Sequence, residues 1–392
     1  VPGTPVVVAA RRTPVGTAGR SLAAFDVAGL AGPVLAALAA DLRELGVLSG
    51  PAGVDDVVLG NCCGPGGDVA RVAALAAGLG TAVPGVCIDR QCGSGLEAVR
   101  LAAHTVAAGA ASVVLAGGVE SASTAPWRFA RDASQTQPPR SYSRARFTPA
   151  GFPDPEMGKA ADALAARCGV TRERQDAYAA RSHARTLAAR DRGVFDAETV
   201  AVGGVSADER PRRLGIDVLA RLRPAFTPDG TVTAGNSCGI NDGAAAVAVV
   251  DEPGRARAGV PGLRVLATHV VGVDPATPGI GPVPAVRAVL ATAGRTLDEV
   301  RVVEVTEAFA AQVLACTDAL GLDPFGADAE RVCPDGGAVA LGHPWGASGA
   351  LLVVRLFAHL VRSPAAAAGD LGLAACAVGG GQGVAMLAER VG

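Results

Sequence analysis

Two glycine-rich stretches each place a chemically capable side chain where a helix should begin. In Asp89-Arg90-Gln91-Cys92-Gly93-Ser94-Gly95-Leu96 the residue is a cysteine. In Gly336-Gly337-Ala338-Val339-Ala340-Leu341-Gly342-His343-Pro344-Trp345-Gly346 it is a histidine, one of five in the chain. The glycines after Cys92 let a substrate come close to the backbone. A helix N-terminus lowers a thiol pKa and offers N–H donors to a developing oxyanion. Most cysteines are buried structural residues and most loop histidines are surface residues. The glycine-flanked helix starts favour chemistry for both. Together they supply the thiol and imidazole of an activated sulfur nucleophile.

The elements that position these residues are duplicated. Leu96-Glu97-Ala98-Val99-Arg100-Leu101-Ala102-Ala103-His104 is echoed by Leu352-Val353-Val354-Arg355-Leu356-Phe357-Ala358-His359. Each copy follows a Gly/Ser turn and precedes an apolar strand ending in glycines, Ser112 to Gly118 and Leu371 to Gly381. Upstream, Val54-Asp55-Asp56-Val57-Val58-Leu59 is echoed by Leu297-Asp298-Glu299-Val300-Arg301-Val302. Four elements in the same order imply a duplicated α/β unit, which would bring the Cys92 and His343 turns together at the centre of the molecule. Continuous apolar runs such as Pro5 to Ala10 and Ala111 to Ala116 suit strands buried on both faces. Val72 to Leu79 and Val99 to Val106 carry helical spacing. The expected fold is α/β, two mixed sheets with helices on both faces around shared central helices.

The halves divide as residues 1–118 with 239–258, then 259–392, with 119–238 inserted between them. The insertion starts with the polar run Arg131-Asp132-Ala133-Ser134-Gln135-Thr136-Gln137-Pro138-Pro139-Arg140. A helix capped at Thr171 follows. So long a connection is usually functional, here as a lid and substrate-binding region with oligomer contacts.

Composition excludes several classes. The chain has 392 residues, 49% hydrophobic and 18% charged, and suits two or three soluble domains. Its net charge of −2 gives no footprint for nucleic acid or an anionic membrane. Nine cysteines without a C-x-x-C pair or metal spacing suggest reduced thiols in the cytoplasm. Val1-Pro2-Gly3-Thr4-Pro5 does not read as a signal peptide, and no apolar run reaches membrane-spanning length uninterrupted.

The Cys-Gly-Ser-Gly-Leu at Cys92 and the Gly-Gly-Ala-x-Ala-Leu-Gly-His-Pro ending at Pro344 resemble thiolases, that is acetyl-CoA acetyltransferases and 3-ketoacyl-CoA thiolases. So do Ala234-Gly235-Asn236-Ser237-Cys238-Gly239-Ile240-Asn241-Asp242-Gly243, Glu307-Ala308-Phe309-Ala310, Arg11-Arg12-Thr13-Pro14 and Leu222-Arg223-Pro224-Ala225-Phe226. The resemblance spans essentially the whole chain. It implies two five-stranded mixed sheets with helices in five layers, plus the inserted loop domain. It implies that Cys92 carries the acyl group as a thioester, and that His343 deprotonates it and later stabilises an enolate. The N–H groups of Cys92 and Gly379 would form the oxyanion hole. Met157, Arg213, Phe226, Ser237, Cys238, Ala308 and Phe309 would line or bind the coenzyme A arm. The coenzyme A thioester is the substrate, no cofactor is held permanently, and the protein is a homodimer or homotetramer.

Five positions depart from the family pattern, among them Glu156, which stands where many biosynthetic members have His before the Met-Gly pair. Thr306 stands for the Asn that holds an oxyanion-hole water. Cys238 replaces a usual Ser, and Asp335 a common Asn. The most serious is Ala377, which occupies the place of the second catalytic cysteine, two residues before the glycines of Val378-Gly379-Gly380-Gly381. That cysteine moves the α-proton of the substrate, and an alanine methyl cannot. Cys376 is one place earlier. Neighbouring strand residues face opposite ways, so it turns into the core unless a bulge brings it inward. The resulting expectation is a thiolase-type C-acyltransferase with Cys376 or a water as base. Transfer to another acceptor, thioester hydrolysis, and a non-catalytic acyl-CoA-binding subunit are the alternatives.

Overall fold

Runs of valine and alanine form strands sealed on both faces, and the glycine-flanked turns place two helices between them. The structure is a computed structural model describing residues 3–48, 53–131, 134 and 138–392. Residues 1–2 of the N-terminal reading and residues 132, 133 and 135–137 of the polar run lie outside the described residues.

The first half comprises β1 (Pro5–Arg12), β2 (Gly16–Thr17), α1 (Val27–Glu44), β3 (Asp56–Gly60), α2 (Val69–Ala76), β4 (Val86–Ile88), α3 (Ser94–Ala107) and β5 (Val113–Glu120). The inserted region adds β6 (Arg128–Ala130), β7 (Arg140–Tyr142), α4 (Met157–Cys168), α5 (Arg172–Asp191) and α6 (Ile216–Ala220). The chain returns through β8 (Asn241–Asp251) and α7 (Glu252–Ala258). The second half comprises β9 (Gly262–Gly272), α8 (Pro282–Ala293), β10 (Val300–Val305), α9 (Ala310–Leu320), α10 (Ala338–Leu341), α11 (Trp345–Phe357), β11 (Leu371–Val378) and β12 (Gln382–Val391).

The duplication is explicit in the pairing. In the first half β4, β3 and β5 run parallel, and β5–β8 and β8–β1 are antiparallel. In the second, β10–β11 is parallel, and β11–β12 and β12–β9 are antiparallel. Two details differ from separate five-stranded sheets. The halves join into one continuous strand order, β10-β11-β12-β9-β1-β8-β5-β3-β4, because β1 and β9 meet at Val6↔Arg264 and Val7↔Leu263. The second half has four strands, and an isolated parallel bridge, Val303↔Val332, takes the fifth place.

Helices and sheet alternate as expected. α1 and α2 cover the outer face of the first half, α8 that of the second, and α3 and α11 pack between. The central pair touches at glycines. A Cβ on Gly349 would lie 2.4 Å from Leu96 N, and one on Gly95 would lie 2.7 Å from Ala350 N, so only glycine permits this approach. Because the helices cross near their N-termini, the preceding turns converge. Those turns carry Cys92 and His343. Thr171 caps α5, its hydroxyl accepting from Arg174 N–H at 3.3 Å. No helix among the described residues is long and apolar enough to cross a membrane.

Candidate active site

Cys92 leaves β4 through a tight turn. Ser94 fixes the turn by donating to Gln91 O at 2.6 Å and accepting from Arg90 N–H at 2.8 Å. Gln91 adopts φ +46°, a costly left-handed conformation next to Cys92. Cys92 and His343 line one cavity of about 110 Å³ with Met157, Ala308, Phe309, Cys238 and residues 377–379. The N–H groups of Cys92 and Gly379 both point at Cys92 Sγ. The same two donors can receive the oxygen of a thioester formed there.

Buried polar groups hold the histidine turn. His343 N–H donates to Asn241 Oδ1 at 3.0 Å, and Gly346 N–H to Glu120 Oε2 at 3.0 Å. Glu120 also accepts from Cys62 N–H, Cys63 N–H and the Asn61 amide, tying the loop after β3 to the start of α11. Glu307 accepts from Tyr178 Oη, Ser182 Oγ and Val339 N–H, fixing α10.

Ser348 holds the His343 ring. Ser348 Oγ lies 2.6 Å from His343 Nδ1 and 3.1 Å from Pro344 O. These contacts accommodate the tautomer in which the serine proton goes to Pro344 O and Nδ1–H donates to Ser348. In that tautomer Nε2 keeps its lone pair, and Nε2 has no hydrogen-bond partner among the described residues. Burial pushes the His343 pKa down to about 4, which leaves the ring neutral near pH 7.

The thiol differs from the expectation of an acidified cysteine. Burial pushes Cys92 up to about 12, outweighing the two backbone N–H groups, and the Glu120 and Asp89 carboxylates add to the rise. The resting pair is a thiol and a neutral imidazole.

The other expected residues divide. Met157, Cys238, Ala308, Phe309 and Gly379 line the cavity. Phe226 stands behind it, edge-on to Phe309 with ring centroids 6.0 Å apart. Ser237 is turned into its own loop, donating to Thr233 O at 2.5 Å. Arg213 is exposed and does not line the cavity. Thr306 is buried behind the lining, its hydroxyl beside the Cys376 sulfur without a hydrogen bond of ordinary geometry. Cys376 is corrected as a base. β11 and β12 pair residue for residue from Leu371↔Glu389 to Val378↔Gln382, so there is no bulge. Its thiol is buried on the central-helix side, 3.1 Å from Cys92 O and 3.3 Å from Ala377 O, and burial raises its pKa. Ala377 faces the cavity instead.

Gln312, Trp345 and the Pro278-Gly279 turn also line the cavity. Gln312 had no sequence signal, since it is one polar residue in an alanine-rich helix. Asn241 stands in the Ala234–Gly243 stretch that resembles the family, a signal that could mark it as holding the histidine turn. Among the described residues no cluster of three or more His, Cys, Asp or Glu could hold a metal ion.

The fold brings a thiol and an imidazole to one cavity at paired helix starts. Residues 5–253 match the thiolase N-terminal domain and residues 261–390 the thiolase C-terminal domain. A Bacillus subtilis relative, provisionally named an acetyl-CoA C-acetyltransferase, is 42% identical over 391 residues, covering 98% of each chain. The acetyl-CoA acetyltransferase of Pseudomonas aeruginosa is 40% identical over 98% of this chain and 99% of its own. The crystal structure of the Bacillus anthracis acetyl-CoA acetyltransferase superimposes with a TM-score of 0.90 at 37% identity, covering 99% of both chains. The chain belongs to the thiolase family.

Proposed function

We propose that this protein forms an acyl-enzyme on Cys92 from acyl-CoA, and makes or cleaves a 3-ketoacyl-CoA as an acetyl-CoA C-acetyltransferase. The observation that carries this reading is the trio in one cavity: the Cys92 thiol, the unpartnered Nε2 of a neutral His343, and two backbone N–H groups converging on the sulfur. With the thiol near 12 and the imidazole near 4, the proton leaves sulfur only as it attacks. His343 Nε2 takes that proton while the thioester oxygen moves onto the Cys92 and Gly379 N–H groups. The imidazolium is then placed to stabilise an enolate oxygen. Met157, Phe309 and the half-buried Cys238 bound the entry on apolar or weakly polar surface, which suits a pantetheine arm. A soluble cytoplasmic homo-oligomer belongs to the same reading.

One observation favours a second reading. The Ala377 methyl lines the cavity where the family carries its proton-moving cysteine. A protein lacking that step would still acylate Cys92 and pass the acyl group to another acceptor or to water.

Intact-protein mass spectrometry tests the shared step. Acetyl-CoA, or a longer acyl-CoA, should add one acyl group to Cys92. The adduct should be absent in Cys92→Ser and slow to form in His343→Asn. An unmodified protein across a panel of acyl-CoAs overturns the reading.

A further inference from the structure

With Ala377 inert and Cys376 turned away, the α-proton needs another carrier. Among the described residues, three titratable side chains line the cavity: Cys92, His343 and Cys238. The first two are occupied by nucleophilic attack and enolate stabilisation. From this geometry we infer that Cys238 is the second catalytic thiol, the acid and base that moves the α-proton of the acyl-CoA substrate. This rests on the acyl-enzyme reading above and names its missing group.

The position is built rather than incidental. Cys238 N–H donates to Ala308 O at 3.0 Å, tying the loop to the cavity wall. The residues before it are locked: Asn236 Nδ2 donates to Asp176 at 2.9 Å, and Thr233 N–H to Asn236 Oδ1 at 2.8 Å. Gly239 leaves room for Arg210, whose guanidinium would lie 2.2 Å from a Cβ at that position. The Arg210 cation favours a Cys238 thiolate, while burial and the Cys92 sulfur oppose it and the pKa stands at about 12. A thiol that is normally protonated, with a cation beside it to bear a transient thiolate, can serve in both directions.

The step balances with the groups present. Cys92 sulfur attacks acetyl-CoA, its proton passing to His343, and the departing coenzyme A sulfur takes the proton of Cys238. That leaves acetyl-Cys92, an imidazolium and a Cys238 thiolate. A second acetyl-CoA enters, and the thiolate removes a proton from its C2. The electron pair moves onto the thioester oxygen, facing the imidazolium. The enolate C2 attacks the acyl carbon, the new C–C bond forms as the C–S bond to Cys92 breaks, and Cys92 recovers its proton from His343. Cleavage runs the same steps in reverse.

The test measures two rates on one enzyme: acetylation of Cys92 by mass spectrometry, and deuterium uptake at C2 of acetyl-CoA in heavy water. In Cys238→Ser and Cys238→Ala the ratio of uptake to acetylation should fall about 100-fold or more. Adding Ala377→Cys to either should restore it. Cys376→Ala should keep the wild-type ratio. A Cys238 variant whose ratio stays within about threefold of wild type overturns the inference. So does a collapse of the ratio in Cys376→Ala, or a wild-type enzyme that acetylates without exchanging. A wild type that never acetylates sinks the acyl-enzyme reading instead, and is told apart by the first measurement alone.

Discussion

At the scale of single residues, the site works through burial more than through charge. Cys92 sits at a helix start, and the sequence points to an acidified thiol there. In the fold, desolvation outweighs the two N–H groups and drives the thiol up to about 12. The sign of the pH response follows. The thiolate fraction grows as pH rises and has no plateau in the neutral range. Alkylation of Cys92 by iodoacetamide should therefore accelerate about tenfold per pH unit from 7 to 10, where a thiol of the ordinary range would level off near 9. A rate independent of pH above 7, read by peptide mass spectrometry, would show an ion pair with His343 that the geometry does not support. Residue identity was legible for Cys92 and His343 because both stand in glycine-flanked turns. For Cys376 the alternation of strand residues points to the core, where the side chain lies, and the resemblance puts Cys238 on the cavity wall, which it lines. What residue type does not show is whether a bulge interrupts β11, because bulge and regular pairing use the same residues; the unbroken register with β12 decides it.

At the scale of elements, the closeness of α3 and α11 sets the site. Their crossing brings two turns, 251 residues apart in sequence, to one cavity. The duplicated order of strand, turn and helix made this arrangement readable in advance, down to the parallel β3–β5 and β10–β11 pairs. The joining of the halves through β1 and β9 was not readable, because two residue pairs between edge strands carry no periodic signal. Glycine at the crossing has a measurable cost when replaced. The Cβ of Gly349→Ala would meet Leu96 N at 2.4 Å, a backbone atom that cannot swing aside. The helices must then separate, at a cost of about 1–3 kcal/mol. We expect a lower unfolding midpoint in urea, together with an acylation rate reduced at least tenfold as His343 moves away from Cys92. An unchanged acylation rate in a destabilised protein would show that the helix contact serves packing alone.

At the scale of the whole molecule, one buried ionic cluster links regions that the sequence places far apart. Glu198, fully buried, accepts from Arg12 Nε at 2.6 Å and from Arg355 on α11. Arg12 also pairs with Asp208, and Arg355 with Asp335, the position where the family commonly has Asn. Phe195 is placed against both guanidinium groups, 5.1 Å from that of Arg12 and 4.9 Å from that of Arg355. Thus β1 of the first half, the segment after α5 and the central helix of the second half are held by one carboxylate. The cluster is buried, so its loss is not a loss of surface attraction. Glu198→Ala leaves two guanidinium groups in the interior with fewer partners, and should cost about 3–5 kcal/mol in chemical denaturation. Salt distinguishes this from a surface effect. An exposed pair such as Arg174–Asp318 contributes about 0–1 kcal/mol and is screened by salt. The Glu198 deficit should be the same at low and high ionic strength. A deficit below about 1 kcal/mol, or one that vanishes in high salt, would mean that apolar packing alone holds the halves together.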